Sequence, residues 1–309
     1  MAKLTQIQKL EQLPPAIEVY LSENNTNQVA LAKLAGIDKA YVNHILKRNE
    51  NIGKAKIADK YYESIALAIG FKFEKTYWKH FNTFNFKETT VSIDKARIKK
   101  DRLGIDGITG LGKTYITTLY KRRFPKECIV IKCSGIQNAK EFAIEFAEAV
   151  GIVPVGTKNK LIKDACKAVK KMNGSPFLMI DEFENSKLIH IIPAIKVIAD
   201  ELEDIAPVIL IGIGVQKMLQ DAAQRDKNGY VQLNRRFSFS WTKMDSNIAE
   251  DIEFICDELG ISNRHAKNWL KTRVKDMDSL KRICVKALEE AEKTSQEVNI
   301  SFLNELFPM

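Results

Sequence analysis

The apolar positions of this chain change rhythm along its length. Between residues 101 and 244, short continuous apolar runs alternate with stretches of helical period. Leu103-Gly104-Ile105-Asp106, Cys128-Ile129-Val130-Ile131-Lys132, Phe177-Leu178-Met179-Ile180-Asp181 and Val208-Ile209-Leu210-Ile211-Gly212-Ile213-Gly214 are predicted as strands, the longer ones buried on both faces. Around them, Tyr115 to Lys121, Ala139 to Val150, Leu161 to Met172, Pro193 to Glu203 and Val215 to Ala223 carry helical patterns. A polar loop and a further strand, Phe237-Ser238-Phe239-Ser240-Trp241, are predicted next. Strands alternating with helices predict a mostly parallel sheet with helices on both faces. From Ile248 to Phe307 the pattern is helical, broken at Gly260 and around Asp276, and predicts a C-terminal helical lid over residues 245–309.

Residues 1–70 show short helical patterns and nothing strand-like. A helix capped by Thr26, with Val29, Ala32 and Leu34 inward, is predicted to stop at Gly36; a second, capped by Asp38, turns Val42, Ile45 and Leu46 inward. That spacing is a helix-turn-helix. The outer face of its second helix offers Lys39, Tyr41, Asn43, His44, Lys47 and Arg48, side chains suited to phosphates and base edges in a major groove, with Lys54, Lys56 and Lys60 nearby. Helical domains that bind protein share such patterns. Residues 71–100 read as a linker and lead-in helix, the helix running from Ser92 to Lys100; the aromatics Trp78, Phe81, Phe84 and Phe86 either dock on the next domain or stack bases.

With 309 residues, 45% of them hydrophobic, the chain can bury a core and suggests about two domains. No apolar run approaches the ~20 residues of a membrane span, and Met1-Ala2-Lys3-Leu4-Thr5-Gln6 lacks the apolar core of a secretion signal, so no membrane partner and an intracellular location are expected. A net charge of +9 fits an acidic partner such as nucleic acid. Cys128, Cys133, Cys166, Cys256 and Cys284 are scattered within apolar patterns and read as buried structural thiols.

The chemistry concentrates between the first strand and the helix that follows it. Gly107-Ile108-Thr109-Gly110-Leu111-Gly112-Lys113-Thr114 fits the phosphate-loop spacing of Gly, four residues, Gly-Lys-Ser/Thr. The glycines let backbone N–H groups and the helix N-terminus face anionic oxygens. Gly107, Thr109, Gly110, Leu111, Gly112, Lys113, Thr114 and Tyr115 are therefore candidate contacts to ATP, with Lys113 reaching the β/γ-phosphates and the Thr114 hydroxyl holding Mg²⁺. In a parallel sheet the carboxyl ends of strands line the ligand site, which brings Asp181 to the Mg²⁺ shell and places Glu182 to polarise a water.

The order of phosphate loop, Asp181-Glu182 strand, long apolar strand, Arg235-Arg236 and helical lid resembles the AAA+ ATPases. With the repressor-like helix-turn-helix in front, the layout is similar to the family of the phage Mu B protein and related transposition target-selection ATPases. The resemblance implies an α/β P-loop AAA+ core over 101–244 with a helical lid and an N-terminal all-α helix-turn-helix domain. It further implies Arg235 or Arg236 as a finger reaching the γ-phosphate of a neighbouring subunit, and Lys281 or Arg282, in Ser279-Leu280-Lys281-Arg282, as a second nucleotide sensor. It implies double-stranded DNA, copies of the chain itself in an ATP-dependent homo-oligomer or helical filament, and a transposase as partners. The setting would be the cytoplasm of a bacterium, with a bacterial or phage gene and a nucleoid association. The family usually places a water-orienting polar residue at the end of the strand beside the Asp-Glu strand; here that end reads Gly212-Ile213-Gly214. An ATP-sensing helix-turn-helix transcriptional regulator and a replicative helicase loader are the competing expectations.

Overall fold

The computed structural model describes residues 4–53, 55–73, 77–187, 191–225 and 229–308. Lys54 lies outside them. The chain divides into two compact units, residues 1–80 and 81–309.

In the first unit a π-helical turn, Gln8–Gln12, runs into α1 (Leu13–Glu23), followed by α2 (Gln28–Ala35), α3 (Lys39–Leu46) and α4 (Asp59–Ala68). Leu13, Ile17, Leu31, Val42, Ile45, Tyr62 and Ile65 form its core. The Asn27 side chain caps α2, accepting from Val29 N and Ala30 N, so Asn27 rather than Thr26 starts the helix. The inward face is accordingly Leu31 and Ala32, whereas Val29 and Leu34 are exposed, contrary to the sequence expectation. Gly36 ends α2 in the left-handed region at φ 66°, and Asp38 Oδ1 accepts from Ala40 N at 2.7 Å to start α3, both as expected. Two short strands, β1 (Asn51–Ile52) and β2 (Ala55–Lys56), pair antiparallel where no strand was expected. Lys9, 4% exposed, is held by Asp59 at 2.5 Å, so its charge is paired where it is buried.

The second unit opens with α5 (Phe84–Lys99), eight residues earlier than the predicted lead-in helix, because the Thr83 side chain caps it by accepting from Phe86 N. Then come β3 (Leu103–Asp106), α6 (Lys113–Arg123), β4 (Cys128–Lys132), α7 (Ala139–Ala149), α8 (Lys158–Lys171) and β5 (Phe177–Asp181). A 3₁₀ turn, Phe183–Lys187, leads on to α9 (Ile192–Glu201), β6 (Val208–Gly212), α10 (Val215–Gln224), α11 (Tyr230–Phe237) and β7 (Trp241–Lys243). All of these strand pairings are parallel, in the order β4-β5-β6-β3-β7. Every residue of β5 and β6 is buried, as continuous apolar runs require of strands covered on both faces. On one face Leu178, Ile180, Val208 and Leu210 join a core built with α7 to α11. On the other, Phe177 meets the rings of Tyr120 and Phe124 at the end of α6.

The strand expected over Phe237 to Trp241 is shorter and later. Leu233 and Phe237, one helical turn apart, are both fully buried on α11, while Phe239 is fully exposed, so the pairing strand begins only at Trp241. The C-terminal segment is α12 (Ala249–Leu259), α13 (Arg264–Arg273), α14 (Met277–Thr294) and α15 (Ile300–Leu306). It breaks at Gly260 and Asp276 as expected, and again at Ser295, a residue at φ 52°. All five cysteines are buried. Among the described residues no helix is long and apolar enough to cross a membrane.

Gly104 tests the sheet. A Cβ there would lie 2.3 Å from Trp241 Cε3, so Gly104→Ala must push β7 away from β3. The expected cost is about 1–3 kcal/mol, read as a lower urea midpoint at unchanged slope. An unchanged midpoint would refute this packing.

Candidate active site

The loop between β3 and α6 turns on two glycines in the left-handed region, Gly110 at φ 80° and Gly112 at φ 87°. Gly112 is the residue that starts α6. The helix N-terminus with its unpaired N–H groups therefore opens at the loop, an arrangement that favours an anion. Leu111 is buried and anchors the loop, while Thr109, Thr114 and Tyr115 are exposed.

Lys113 turns back over this loop. Its Nζ donates to Gly107 O at 2.6 Å and to Ile108 O at 2.7 Å. Burial pulls its pKa below the ordinary lysine value, while the carboxylates of Glu184, then Asp181 and Asp106, pull the other way. Two strand ends and one turn supply those carboxylates. Asp181 ends β5, is 4% exposed, and accepts from Thr117 Oγ1 at 3.3 Å and from Glu182 N at 2.9 Å. Asp106 ends β3 and accepts from Gly214 N at 2.7 Å and Gln216 N at 3.1 Å, which ties β3 to the start of α10. Glu184, in the 3₁₀ turn, accepts from Ile213 N at 3.1 Å just past the end of β6.

Glu182 sits at φ 53°, and its carboxylate is ion-paired with Lys132 at 2.9 Å, the contact that raises the Lys132 pKa. Arg236 is committed within the chain: it pairs with Asp200 on α9 and donates to Gln232 O at 3.2 Å. Arg235 beside it is exposed and has no ion-pair partner among the described residues. Lys281 and Arg282 are exposed in the first turns of α14. That helix touches the loop directly, since Met277 N donates to Gly110 O at 2.8 Å. A Cβ on Gly110 would fall 2.3 Å from Asp276 Cβ, so only glycine lets the α14 cap approach this closely.

In the first unit, Lys39, Lys47 and Arg48 are exposed on or just past α3, and Asn43 is half-buried. Tyr41 stacks on Tyr61 with ring centroids 3.8 Å apart. His44 Nδ1 lies 3.4 Å from Asn49 Nδ2. The ring of Tyr41 and the imidazole of His44 thus already have partners within the fold.

The residues fit a Mg-nucleotide. The positive-φ glycines leave the loop backbone open to phosphate, the ammonium of Lys113 faces into the loop, and the Thr114 hydroxyl and buried Asp181 carboxylate are hard oxygen donors of the kind that would hold Mg²⁺. Sequence reasoning missed Glu184 and Asp106. Each is acidic at or just beyond a predicted strand end, but only the sheet order brings them to Lys113.

Residues 101–219 match the family model described as AAA domain. The parallel sheet with this loop defines the class: an α/β P-loop AAA+ fold. The Orc1 protein of Aeropyrum pernix, solved in complex with DNA, is similar in fold, with a TM-score of 0.54 at 14% identity over 74% of this chain and 65% of that one. The chain thus spans slightly under two thirds of that protein. The replication initiator DnaA bound to AMPPCP and single-stranded DNA aligns with a TM-score of 0.47 at 14% identity, over 71% and 66% of the two chains. The Thermotoga maritima RuvB Holliday junction branch migration motor aligns at 0.44 and 14%, over 72% and 66%. No curated protein matches the sequence.

Lys113→Ala is expected to abolish nucleotide binding, because it removes the side-chain counter-charge that faces the loop. Fluorescence titration with a labelled ATP measures it. Affinity equal to the unaltered chain would remove Lys113 from the site.

Proposed function

We propose that the chain is a Mg²⁺-dependent ATPase that binds double-stranded DNA and assembles with copies of itself in an ATP-dependent way. The observation that carries this reading is the glycine loop whose carbonyls hold the Lys113 ammonium, with buried Asp181 at the end of β5 tied to α6 through Thr117. The loop N–H groups and Lys113 bind the phosphates. Thr114 and Asp181 hold the Mg²⁺, which supplies charge neutralisation at the transferred phosphoryl group. Glu182, released from Lys132, polarises the attacking water. Lys281 or Arg282 reads the bound nucleotide from α14, whose first N–H already reaches the loop carbonyl of Gly110.

The first unit is the DNA-binding part. Two helices joined through Gly36 and Asp38, with Lys39, Lys47 and Arg48 exposed on or just past α3, support a helix-turn-helix that lays α3 in a major groove. The layout of such a head before an AAA+ core supports the finer reading: subunits coat target DNA with little sequence preference and recruit and stimulate a transposase in target selection.

The arginine pair makes assembly testable. Arg236 is occupied by Asp200, so Arg235 is the residue left to complete a neighbour's site. A finger of this kind contributes about 10³–10⁵ in rate. Hydrolysis is expected to rise more steeply than linearly with protein concentration, further on duplex DNA, and Arg235→Ala is expected to flatten that rise while leaving ATP affinity within a few-fold. Footprinting with ATP on the same DNA is expected to show continuous protection. Rates strictly proportional to concentration would contradict assembly, and one discrete protected site would favour a transcriptional regulator.

A further inference from the structure

The strand that lies beside the Asp181 strand ends without a side chain. β6 closes on Gly212, and the following residues, Ile213 and Gly214, offer no polar side chain to a reacting water. The space is nevertheless filled. A Cβ built on Gly212 would lie 2.2 Å from Glu184 Oε2 and 2.6 Å from Val215 Cγ2. The carboxylate of Glu184, reaching across from the turn after β5, therefore occupies the place that a side chain at the β6 terminus would take, and Ile213 N–H fixes it there at 3.1 Å. Glycine at 212 is the condition for this reach.

We propose that Glu184 is the polar group that positions the attacking water, supplied from the turn after β5 in place of the missing side chain at the end of β6. The proposal rests on the ATPase reading above. Three observations direct the carboxylate to the reacting end of the nucleotide. It is anchored at the carboxyl edge of the parallel sheet, where ligands of such sheets bind. Its charge is the first of the three carboxylates that hold the Lys113 pKa up against the lowering effect of burial. Glu182, the other carboxylate of this turn, is held by Lys132 and is not the group found against β6.

In the reaction, the water oxygen forms a bond to the γ-phosphorus. The bond from that phosphorus to the β,γ-bridging oxygen breaks with its electron pair on ADP, and the water's proton leaves to a carboxylate. Glu184 accepts a hydrogen bond from the water and so fixes its line of approach, while Glu182 is the proton acceptor. A fixed negative charge near the γ-phosphate also disfavours ATP relative to ADP until the water and metal are in place.

Glu184→Gln separates this role from a purely structural one, because the amide oxygen still accepts from Ile213 N–H at nearly the same volume. Turnover is expected to fall about 10²-fold with KM little changed. A non-hydrolysable ATP analogue is expected to bind about tenfold tighter relative to ADP than in the unaltered chain, since the repulsive charge is gone. Amide exchange at Ile213 in the nucleotide-free chain is expected to stay slow in Glu184→Gln and to speed up in Glu184→Ala, which reports the anchor without any nucleotide. Unchanged turnover and an unchanged ATP-to-ADP preference in Glu184→Gln, with the unaltered chain active, would overturn the role of Glu184 alone. An unaltered chain that binds no ATP would overturn the ATPase reading and this role together. Slow Ile213 exchange in Glu184→Ala would show that the carboxylate is not anchored at β6, and would overturn the proposal on geometry.

Discussion

The arrangement depends on a half-buried ammonium. Lys113 cannot leave its charge in a loop of carbonyls without compensation, and the fold supplies it twice, by two hydrogen bonds to Gly107 and Ile108 and by three carboxylates in the surroundings. Only the first source is local. The carbonyls belong to the same loop, whose Gly110 and Gly112 take a backbone conformation that a side chain disfavours, and the carboxylates arrive from the ends of β3 and β5 and the turn after β5. An incoming phosphate chain offers the same ammonium a stronger set of acceptors. The loop is thus satisfied when empty and better satisfied when filled.

Parallel register delivers the carboxylates. Strands in one direction put all their carboxyl ends on one edge, so the order β5-β6-β3 sets Asp181, the Glu184-bound terminus of β6, and Asp106 side by side. The continuous burial of β5 and β6 holds that edge in place. The same edge meets α14 through Gly110, which gives the helical segment a direct mechanical link to the loop: any movement of the Gly110 carbonyl is felt by Met277 N–H.

How much of this the sequence disclosed follows from how local each feature is. The buried strands were legible because burial on both faces leaves an uninterrupted apolar run, and the phosphate loop because its chemistry needs fixed residues at fixed spacing. The stretch Phe237-Ser238-Phe239-Ser240-Trp241 misled because its alternation imitates a strand; the deciding contact is the burial of Leu233 with Phe237, one turn apart on a helix. On α2 the apolar residues Val29 and Leu34 competed with Leu31 for the inner face, and the cap at Asn27 settles the phase. Glu184 was illegible in principle, since its place depends on a 3₁₀ turn and on the room left by Gly212, 28 residues away (212 − 184). Arg235 and Arg236 are alike in sequence and are told apart by the Arg236 contacts to Asp200 on another helix and to Gln232 O.

The claim on which the account stands is that this loop is a metal-dependent ATP site, one per chain. Calorimetric titration of the intact chain with ATP, with Mg²⁺ present and then with divalent cations chelated, tests it most directly. The account predicts one ATP bound per chain and a marked loss of affinity on chelation, because Thr114 and Asp181 then lose the cation through which they act. No measurable binding, or an affinity indifferent to Mg²⁺, would contradict it.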